Sequence, residues 1–479
     1  PSPWGVGTLG RAARAFLDFL VESGQTYWQI LPIGPTGYGD SPYQPFSSYG
    51  GNPYFIDLDD LARQGLLQKE EYEGLDWGSQ PGRVDYSALY RQRFPVLRKA
   101  VERLWAGEEE AVREFCQKEA RWLEDYALFM ALKDRFDGVP WQSWPEGLRR
   151  RQPQALEEAR GQLAAELKFW KGLQFLFFAQ WDNLKALAAE KGISIIGDLP
   201  IYVAEDSADV WAHPEQFQMD EQLRPTQVAG CPPDGFSADG QLWGNPLFDW
   251  ARMEQDGYRW WMERISFQFR FYDVLRIDHF RGFDSYYAIP AGAETAKEGA
   301  WEPGPGIAFF RSMERVVGQR PIIAEDLGFL TPSVQKLLED TGYPGMKVLE
   351  FAFDSRDGGG RVYQPHNYPA HCVAYVGTHD NDTALGWYDH AGEAERAFAE
   401  RYLGASGREE VRKALLRCGM GSTAELFVAQ MQDYLALGSE GRINVPGVAE
   451  GNWRWRMAPG AATAALAAEI RTLTETYGR

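Results

Sequence analysis

The sequence has 479 residues and is 44% hydrophobic, which suffices to bury the core of an α/β barrel with insertions. Its formal net charge of −19 and its lack of a basic run argue against nucleic acid or an anionic membrane as a partner. Four widely spaced cysteines without a CxxC pair argue against a metal cluster or disulfide framework and predict a reducing, cytoplasmic compartment.

Seven short apolar segments that end in polar or glycine-containing turns are predicted to be buried parallel strands. Helical patterns, such as residues 9–22 and 184–191, lie between most of them. This alternation predicts an α/β fold, which we interpret as a (β/α)8 barrel whose first strand precedes Pro1. The alternative is an open doubly wound sheet, but no nucleotide-binding glycine motif follows any strand. The predicted strands are residues 27–31 (YWQIL), 194–197 (SIIG), 274–277 (VLRI), 321–324 (PIIA), 347–351 (KVLEF), 372–376 (CVAYV) and 442–445 (RINV).

Residues 1–479 are predicted to form a single barrel with two insertions. Residues 61–181 are mostly helical and charged, which indicates an inserted helical subdomain. Residues 202–261 are rich in Pro, Gly, Asp and Trp, and long irregular loops in compact domains usually serve a function, so we interpret them as a loop-rich lid. No apolar run is long enough to span a bilayer. No signal peptide precedes Pro1, although the chain lacks an initiator Met and is expected to start partway into the protein.

Acidic residues follow four of the predicted strands, at the end where barrel enzymes carry their active sites. They are Asp198, Asp278, Glu325 and Asp380. One such residue is an ordinary helix cap, but four of them beside Arg, His or another acid indicate a catalytic site. Cleavage of a glycosidic bond needs two carboxylates, because one attacks the anomeric carbon and the other protonates the leaving oxygen.

The surroundings of two carboxylates suit these two roles. Arg276 lies two residues before Asp278 and shares its strand face, so we expect its guanidinium to lower the pKa of Asp278. Glu325 follows three apolar residues and precedes Asp326, so burial and the neighbouring charge are expected to raise its pKa, as a general acid requires. The alternative for Arg276 and Asp278 is a structural ion pair at a strand end.

Two histidines, His279 and His379, each adjoin a candidate carboxylate. A lone histidine is often a structural residue, and zinc is a second alternative. No HExxH or HxH spacing occurs, so we expect no metal.

Several long motifs together resemble family 77 of the glycoside hydrolases, the amylomaltases or disproportionating enzymes of the α-amylase superfamily. The resemblance covers almost the whole chain, although the N-terminal HPTSLPGPYG-type segment of the family is reduced here to PSPWG. It implies a 4-α-glucanotransferase that acts on α-1,4-glucans and maltooligosaccharides without any cofactor. The motifs are GPTGYGDSPYQ (34–44), IIGDLPIYVAEDSADVW (195–211), AGCPPDGFSADGQLWGNP (229–246), RIDHFRGF (276–283), IIAEDLG (322–328), YPGMKVLEFAF (343–353, where the family pattern reads LPGMKVLQFAF), GTHDNDT (377–383) and EGNWRWR (450–456).

Carried over position by position, the resemblance makes Asp278 the nucleophile, Glu325 the acid/base, and Asp380 the carboxylate that binds sugar hydroxyls. It makes the loop around residues 232–243 a lid over the cleft, with Trp243 as a contact on it. The Pro and Gly of residues 230–244 also predict a loop over the sugar cleft, in which Phe236 and Trp243 could face a sugar. The implied substrate-binding residues are Tyr43, Asp198, Trp243, Arg276, His279 and His379, and the implied residues of a second, remote glucan site are Tyr38 and Tyr86.

Two other functions remain compatible with the same residues. An α-amylase-type glucan hydrolase would use the same carboxylates and differ in letting water outcompete the acceptor sugar. A non-catalytic carbohydrate-binding protein could share the barrel, but the intact carboxylates argue against it.

Overall fold

The computed structural model describes residues 2–37, 39–233, 238–328, 330–354, 359–448 and 450–479. The strands in these ranges are β1 (Tyr27–Gln29), β2 (Ser194–Leu199), β3 (Gln227–Cys231), β4 (Gln241–Pro246), β5 (Val274–Ile277), β6 (Ser285–Pro290), β7 (Ala300–Pro303), β8 (Ile322–Ala324), β9 (Gly345–Val348), β10 (Cys372–Tyr375) and β11 (Leu426–Val428). The α-helices in these ranges are α1 (Arg11–Glu22), α2 (Leu58–Arg63), α3 (Tyr86–Gly107), α4 (Glu109–Lys118), α5 (Ala120–Arg135), α6 (Glu146–Arg149), α7 (Pro153–Gln162), α8 (Ala164–Glu190), α9 (Ala208–Ala212), α10 (Trp250–Gln255), α11 (Arg259–Phe271), α12 (Gly306–Val317), α13 (Pro332–Thr341), α14 (Ala384–His390), α15 (Glu393–Leu403), α16 (Arg408–Met420), α17 (Met431–Tyr434) and α18 (Ala464–Tyr477).

Two parallel sheets form the centre of the molecule, and their strands follow one another in chain order. One sheet has the order β1-β2-β5-β8, and the other contains β9, β10 and β11. A backbone hydrogen bond of 3.0 Å from the Ala324 N–H to the Pro344 carbonyl joins β8 to the segment before β9. An open doubly wound sheet reverses its strand order at a switch point, and this order does not reverse within the described residues. The predicted α/β fold with parallel strands is confirmed by this strand order.

Six of the seven predicted parallel strands form within the described ranges, and the prediction for residues 442–445 is wrong. The strand beside β10 is β11, whose Leu426 pairs with Val373. Residues 442–445 lie instead against the turn after β10, where the Asn444 N–H donates to the His379 carbonyl at 3.1 Å. The prediction for residues 347–351 is displaced, because β9 ends at Val348 and residues 349–353 form a 3-10 helix.

A third sheet, which is antiparallel and has the order β4-β3-β6-β7, was not predicted. Its β3 and β4 belong to residues 202–261, where α9 and α10 also lie and α11 begins. Helices α2 to α8 lie between β1 and β2. In the described part of the chain, no helix has both the length and the apolar character that a bilayer crossing requires.

The barrel wall is tightly packed where β2 passes the end of α11. Ile195 and Ile196 of β2 are fully buried. Gly197 lies directly against the ring of Tyr272, so that a Cβ at this position would overlap the ring. This close approach places the next residue, Asp198, at the carboxyl end of β2.

The last helix described, α18, packs on the first, α1. Phe19 of α1 forms a buried cluster with Ala467 and Ile470 of α18. The Gln25 side chain donates to the Thr474 hydroxyl at 2.9 Å, across 449 residues of sequence. These contacts connect the two ends of the described chain.

Candidate active site

Three of the four candidate carboxylates follow neighbouring strands. Strand β2 pairs with β5 and β5 pairs with β8, so the residues at their carboxyl ends meet at one edge. The Asp278 N–H donates to the Leu199 carbonyl and the Glu325 N–H donates to the Ile277 carbonyl, both at 3.0 Å. The strand register thus continues through both acidic residues and places Asp278 beside Glu325.

Arg276 lies buried between two of these carboxylates, with 4% of its side chain exposed. Its Nη1 donates to both oxygens of Asp198, at 2.8 and 2.7 Å, and to Oδ1 of Asp278 at 3.3 Å. Asp198 is therefore its main ionic partner and Asp278 the weaker one. The guanidinium connects β2 to β5 at the point where the site begins.

Burial raises the pKa of Asp278 well above its ordinary value. The Arg276 guanidinium opposes this rise, while the charges of Asp198, Glu325 and Asp380 add to it. The expectation that Arg276 would lower the pKa of Asp278 is therefore wrong in its net direction, because burial, together with the charges of three neighbouring carboxylates, outweighs the guanidinium.

Burial also raises the pKa of Glu325, and the neighbouring Asp326 adds to the rise, so the prediction for Glu325 is confirmed. Two backbone donors oppose the rise and fix the carboxyl group. The His279 N–H donates to Oε2 at 2.7 Å, and the Leu327 N–H donates to Oε1 at 3.0 Å. Glu325 is thus held from both sides while it retains its tendency to bind a proton.

Tyr43 and His379 form one wall of the site. Their rings stack with centroids 4.8 Å apart and planes at 19°. The Tyr43 hydroxyl donates to Oδ2 of Asp198 at 2.8 Å and lies 3.3 Å from Nδ1 of His379. Burial lowers the pKa of His379, so the imidazole is neutral near pH 7. The ring of Trp453 lies 5.7 Å from Tyr43 and 6.0 Å from His379 and extends the aromatic wall.

Asp380 lies next to this wall on the turn after β10, and its side chain is 48% exposed. Nε2 of His379 lies 3.4 Å from its Oδ1. The Asn444 side chain donates to the same oxygen at 2.6 Å, and the Arg442 side chain donates to the Asp380 carbonyl at 2.7 Å. No role was predicted for Arg442, Asn444 or Trp453. Trp453 lies in the EGNWRWR motif, which carries part of the family resemblance. Arg442 and Asn444 lie in the segment that was predicted to be a strand.

Trp243 contacts His279, whose N–H is bonded to Glu325. Their rings are perpendicular, at 89°, with centroids 4.9 Å apart. His279 has a left-handed backbone, with φ of 48°, and burial lowers its pKa to about 3. The lid prediction for residues 230–244 is described only at its two ends, since Phe236 and its neighbours 234, 235 and 237 lie outside the described residues.

The predicted second glucan site is described only in part, because Tyr38 lies outside the described residues. Tyr86 begins α3, and its hydroxyl donates to the Trp453 carbonyl at 2.7 Å. Tyr86 therefore contacts the chain behind the aromatic wall.

Within the described ranges, no group of three or more His, Cys, Asp or Glu side chains is arranged to hold a metal ion.

A barrel wall of parallel strands, with adjacent carboxylates and aromatic rings at its carboxyl edge, is the arrangement of enzymes that act on glycosidic bonds. Comparison with known proteins agrees and is more specific. The sequence model of glycoside hydrolase family 77, described as 4-alpha-glucanotransferase, matches residues 1–463. The chain belongs to this 4-alpha-glucanotransferase family.

Individual relatives match along nearly their whole length. The 4-alpha-glucanotransferase of Thermus thermophilus is 52% identical over 490 residues, which cover 100% of this chain and 97% of the relative. That of Streptococcus pneumoniae serotype 4 is 48% identical, over 100% of this chain and 95% of the relative. The structure of the amylomaltase from Streptococcus agalactiae in complex with acarbose has a TM-score of 0.97 and 41% identity, over 100% of this chain and 97% of that one. These matches favour neither the α-amylase-type hydrolase nor the non-catalytic protein.

Proposed function

We propose that the chain transfers α-1,4-glucan segments between maltodextrins in two displacements, through a glycosyl ester on Asp278. The observation that carries this proposal is the adjacency of Asp278 and Glu325 on paired strands, with Arg276 in contact with the first of them. The two carboxyl groups are expected to lie about 5–5.5 Å apart, as retention of the anomeric configuration requires.

In the first displacement, the Asp278 carboxylate attacks the anomeric carbon while Glu325 gives its proton to the departing glycosidic oxygen. Both groups bind protons more readily than usual, and the direct contact with Arg276 favours the negative charge on Asp278. In the second displacement, Glu325 takes the proton of an acceptor 4-hydroxyl, whose oxygen attacks the same carbon and releases Asp278. Two inversions retain the α configuration.

The donor sugar is proposed to bind against Tyr43, Asp198, His279, His379 and Asp380. The two imidazoles are uncharged, because burial lowers both pKa values. Neutral rings can donate a hydrogen bond to sugar hydroxyls without repelling the positive charge that develops on the sugar. The surrounding carboxylates then stabilise that charge.

The proposed reaction also assigns roles to the two long insertions of the chain. We infer one catalytic unit over residues 1–479, with residues 61–181 as a helical insertion and 202–261 as a lid with Trp243 at its described edge. A lid that excludes water would favour a sugar acceptor over hydrolysis. Tyr86, together with Tyr38, would belong to a second glucan site.

We also infer that the protein works in a reducing compartment such as the cytoplasm. Cys116, Cys372 and Cys418 form no disulfide among the described residues, although two of the three are partly accessible. Such cysteines are common where disulfides are rare.

The test compares Asp278→Asn and Glu325→Gln on maltotriose and on an activated glycosyl fluoride donor. Asp278→Asn should abolish turnover of both donors, because an amide cannot form the ester. Glu325→Gln should lose transfer from maltotriose but still accumulate an ester from the fluoride, which leaves without a proton. Intact-protein mass spectrometry detects the added sugar.

The control is Asp284→Asn, whose carboxylate accepts hydrogen bonds from Ser285 and Ser333 instead of joining the site. It should give the wild-type ladder of longer maltodextrins. Full activity in both the Asp278 and the Glu325 variant would refute the proposed chemistry, and products shorter than maltotriose alone would indicate a hydrolase.

A further inference from the structure

Residues 442–444 enclose the turn that carries His379 and Asp380. Asn444 contacts both residues of the turn, since its side chain donates to the Asp380 carboxylate at 2.6 Å and its N–H donates to the His379 carbonyl at 3.1 Å. Arg442 donates to the Asp380 carbonyl at 2.7 Å and to the Asn444 carbonyl at 2.8 Å. The backbone of the turn is thus fixed independently of the Asp380 side chain.

We propose that Asn444 is a positioning residue for glucan transfer, whose side-chain amide holds the Asp380 carboxylate in the orientation that receives the sugar hydroxyls. This inference rests on the proposed function, in which Asp380 contacts the donor sugar. The Asp380 side chain is half exposed, so packing alone leaves its carboxylate free to rotate. Nε2 of His379 lies 3.4 Å from the carboxylate, too far for a strong hydrogen bond, and its ring is neutral.

The choice of an amide at position 444 matters because it places a donor beside a carboxylate. A hydrogen bond to a charged acceptor is short and strong, as the 2.6 Å distance indicates. An aspartate at this position would have nearly the same volume, but it would bring a second negative charge against Asp380. Two carboxylates so close cannot both ionise easily. If the amide acts by donating a hydrogen bond, Asn444→Asp should impair transfer more than Asn444→Ala. If position 444 only fills space, Asn444→Ala should be the more harmful substitution.

A second asparagine in the same segment provides a matched control. Oδ1 of Asn452 accepts the Val445 N–H at 3.0 Å, and its Nδ2 donates to the Val448 carbonyl at 2.8 Å. Asn452 therefore holds the segment's own turn, with none of these bonds reaching the turn of Asp380. Replacing it tests whether general loosening of the segment is enough to impair the reaction.

The experiment measures kcat and KM for maltotriose transfer from pH 4.5 to 8 in wild type, Asn444→Ala, Asn444→Asp and Asn452→Ala. We expect kcat to fall about tenfold in Asn444→Ala, the effect of losing one charge-assisted hydrogen bond. In Asn444→Asp it should fall further, and the acid limb of its rate profile should move to higher pH. Asn452→Ala should keep kcat within about twofold of wild type.

Three results would overturn the inference. If kcat falls less in Asn444→Asp than in Asn444→Ala, the volume of the side chain at position 444 matters and its hydrogen bond does not. KM could rise at unchanged kcat in both variants, which would make Asn444 a direct substrate contact. Asn452→Ala could lose as much kcat as Asn444→Ala, which would make the segment's fold responsible.

Asp278→Asn is included in the same series to separate this inference from the proposed function. If Asp278→Asn is inactive while the Asn444 variants behave as wild type, the positioning role alone fails. If Asp278→Asn remains active, the proposed chemistry fails, whatever the Asn444 variants do.

Discussion

Asp433 is expected to make the stability of the fold depend on pH in an unusual direction. It lies in α17 with 1% of its surface exposed, and its Oδ1 accepts the Ala384 N–H at 2.8 Å. Ala384 begins α14, directly after the turn that carries His379 and Asp380. Burial raises the pKa of Asp433 from 3.8 to about 7, helped by the charge of Asp382 and opposed by the Ala384 N–H and by Arg412.

The direction of the effect follows from which state holds the proton. Between pH 4 and pH 7 the folded protein keeps a proton on Asp433 that the unfolded chain has already released. The contribution of Asp433 to the free energy of unfolding is therefore fully present below pH 4 and is lost as pH rises through 7. About three pKa units of difference correspond to about 4 kcal/mol.

The perturbation is Asp433→Asn, which keeps an oxygen for the Ala384 N–H and removes the titration. The stability of the variant relative to wild type, measured by urea unfolding at several pH values from 4 to 8, should increase with pH by about 4 kcal/mol. Asp389→Asn is the control, since its half-exposed carboxylate pairs with Arg408 and its difference from wild type should vary by less than about 1 kcal/mol. A constant difference between Asp433→Asn and wild type across this range would refute the reasoning.

Three further substitutions test the site and its support. Arg276→Lys should lower kcat about 100-fold, because the shorter lysine side chain cannot place its nitrogen where Nη1 contacts both Asp198 and Asp278; activity within tenfold of wild type would contradict this. Tyr43→Phe keeps the ring stack and loses the hydroxyl bonded to Asp198, so kcat should fall about tenfold while Tm stays within about 4 °C; an unchanged kcat would remove Tyr43 from the site. Gly197→Ala should destabilise the fold by about 3 kcal/mol in calorimetry, because the added methyl overlaps the Tyr272 ring, and a Tm equal to wild type would show that the ring can move aside.

The carboxylates could be predicted from the sequence because each follows a short apolar strand. In a parallel barrel the carboxyl ends of all strands meet at one edge, so a local pattern is enough to place Asp278 and Glu325 together. The same rule located Asp198 and Asp380. A property of single strands thus fixed most of the site before any tertiary contact was known.

Residues 442–445 show where local patterns fail. RINV has the β-branched residues of a strand, but an extended segment becomes a strand only if a neighbour accepts its hydrogen bonds. Here Asn444 bonds to the turn of His379 instead, while Leu426–Val428 pairs with β10. The contacts of Asn444 with Asp380 and of Trp453 with Tyr43 join residues far apart in sequence and leave no spacing signal.

The pKa of Asp278 was misjudged for a similar reason. Sequence proximity identifies Arg276 as its neighbour, but the rise in pKa comes first from burial in the assembled site. The charges of Asp198, Glu325 and Asp380, which follow other strands, add to it. Electrostatics depends on distance in space, so the net direction required the assembled site.

The packing of α18 on α1 has a consequence for biosynthesis. The bond between Gln25 and Thr474 spans 449 residues, which a ribosome adds in roughly 20 to 90 s at 5–20 residues per second. During that interval the apolar face of α1 around Phe19 is not covered by α18, so this face has to be protected from aggregation in the nascent chain. The emergence of α18 from the ribosome, more than that of β5 and β8, should therefore mark the moment at which α1 is covered and the fold becomes resistant to proteases.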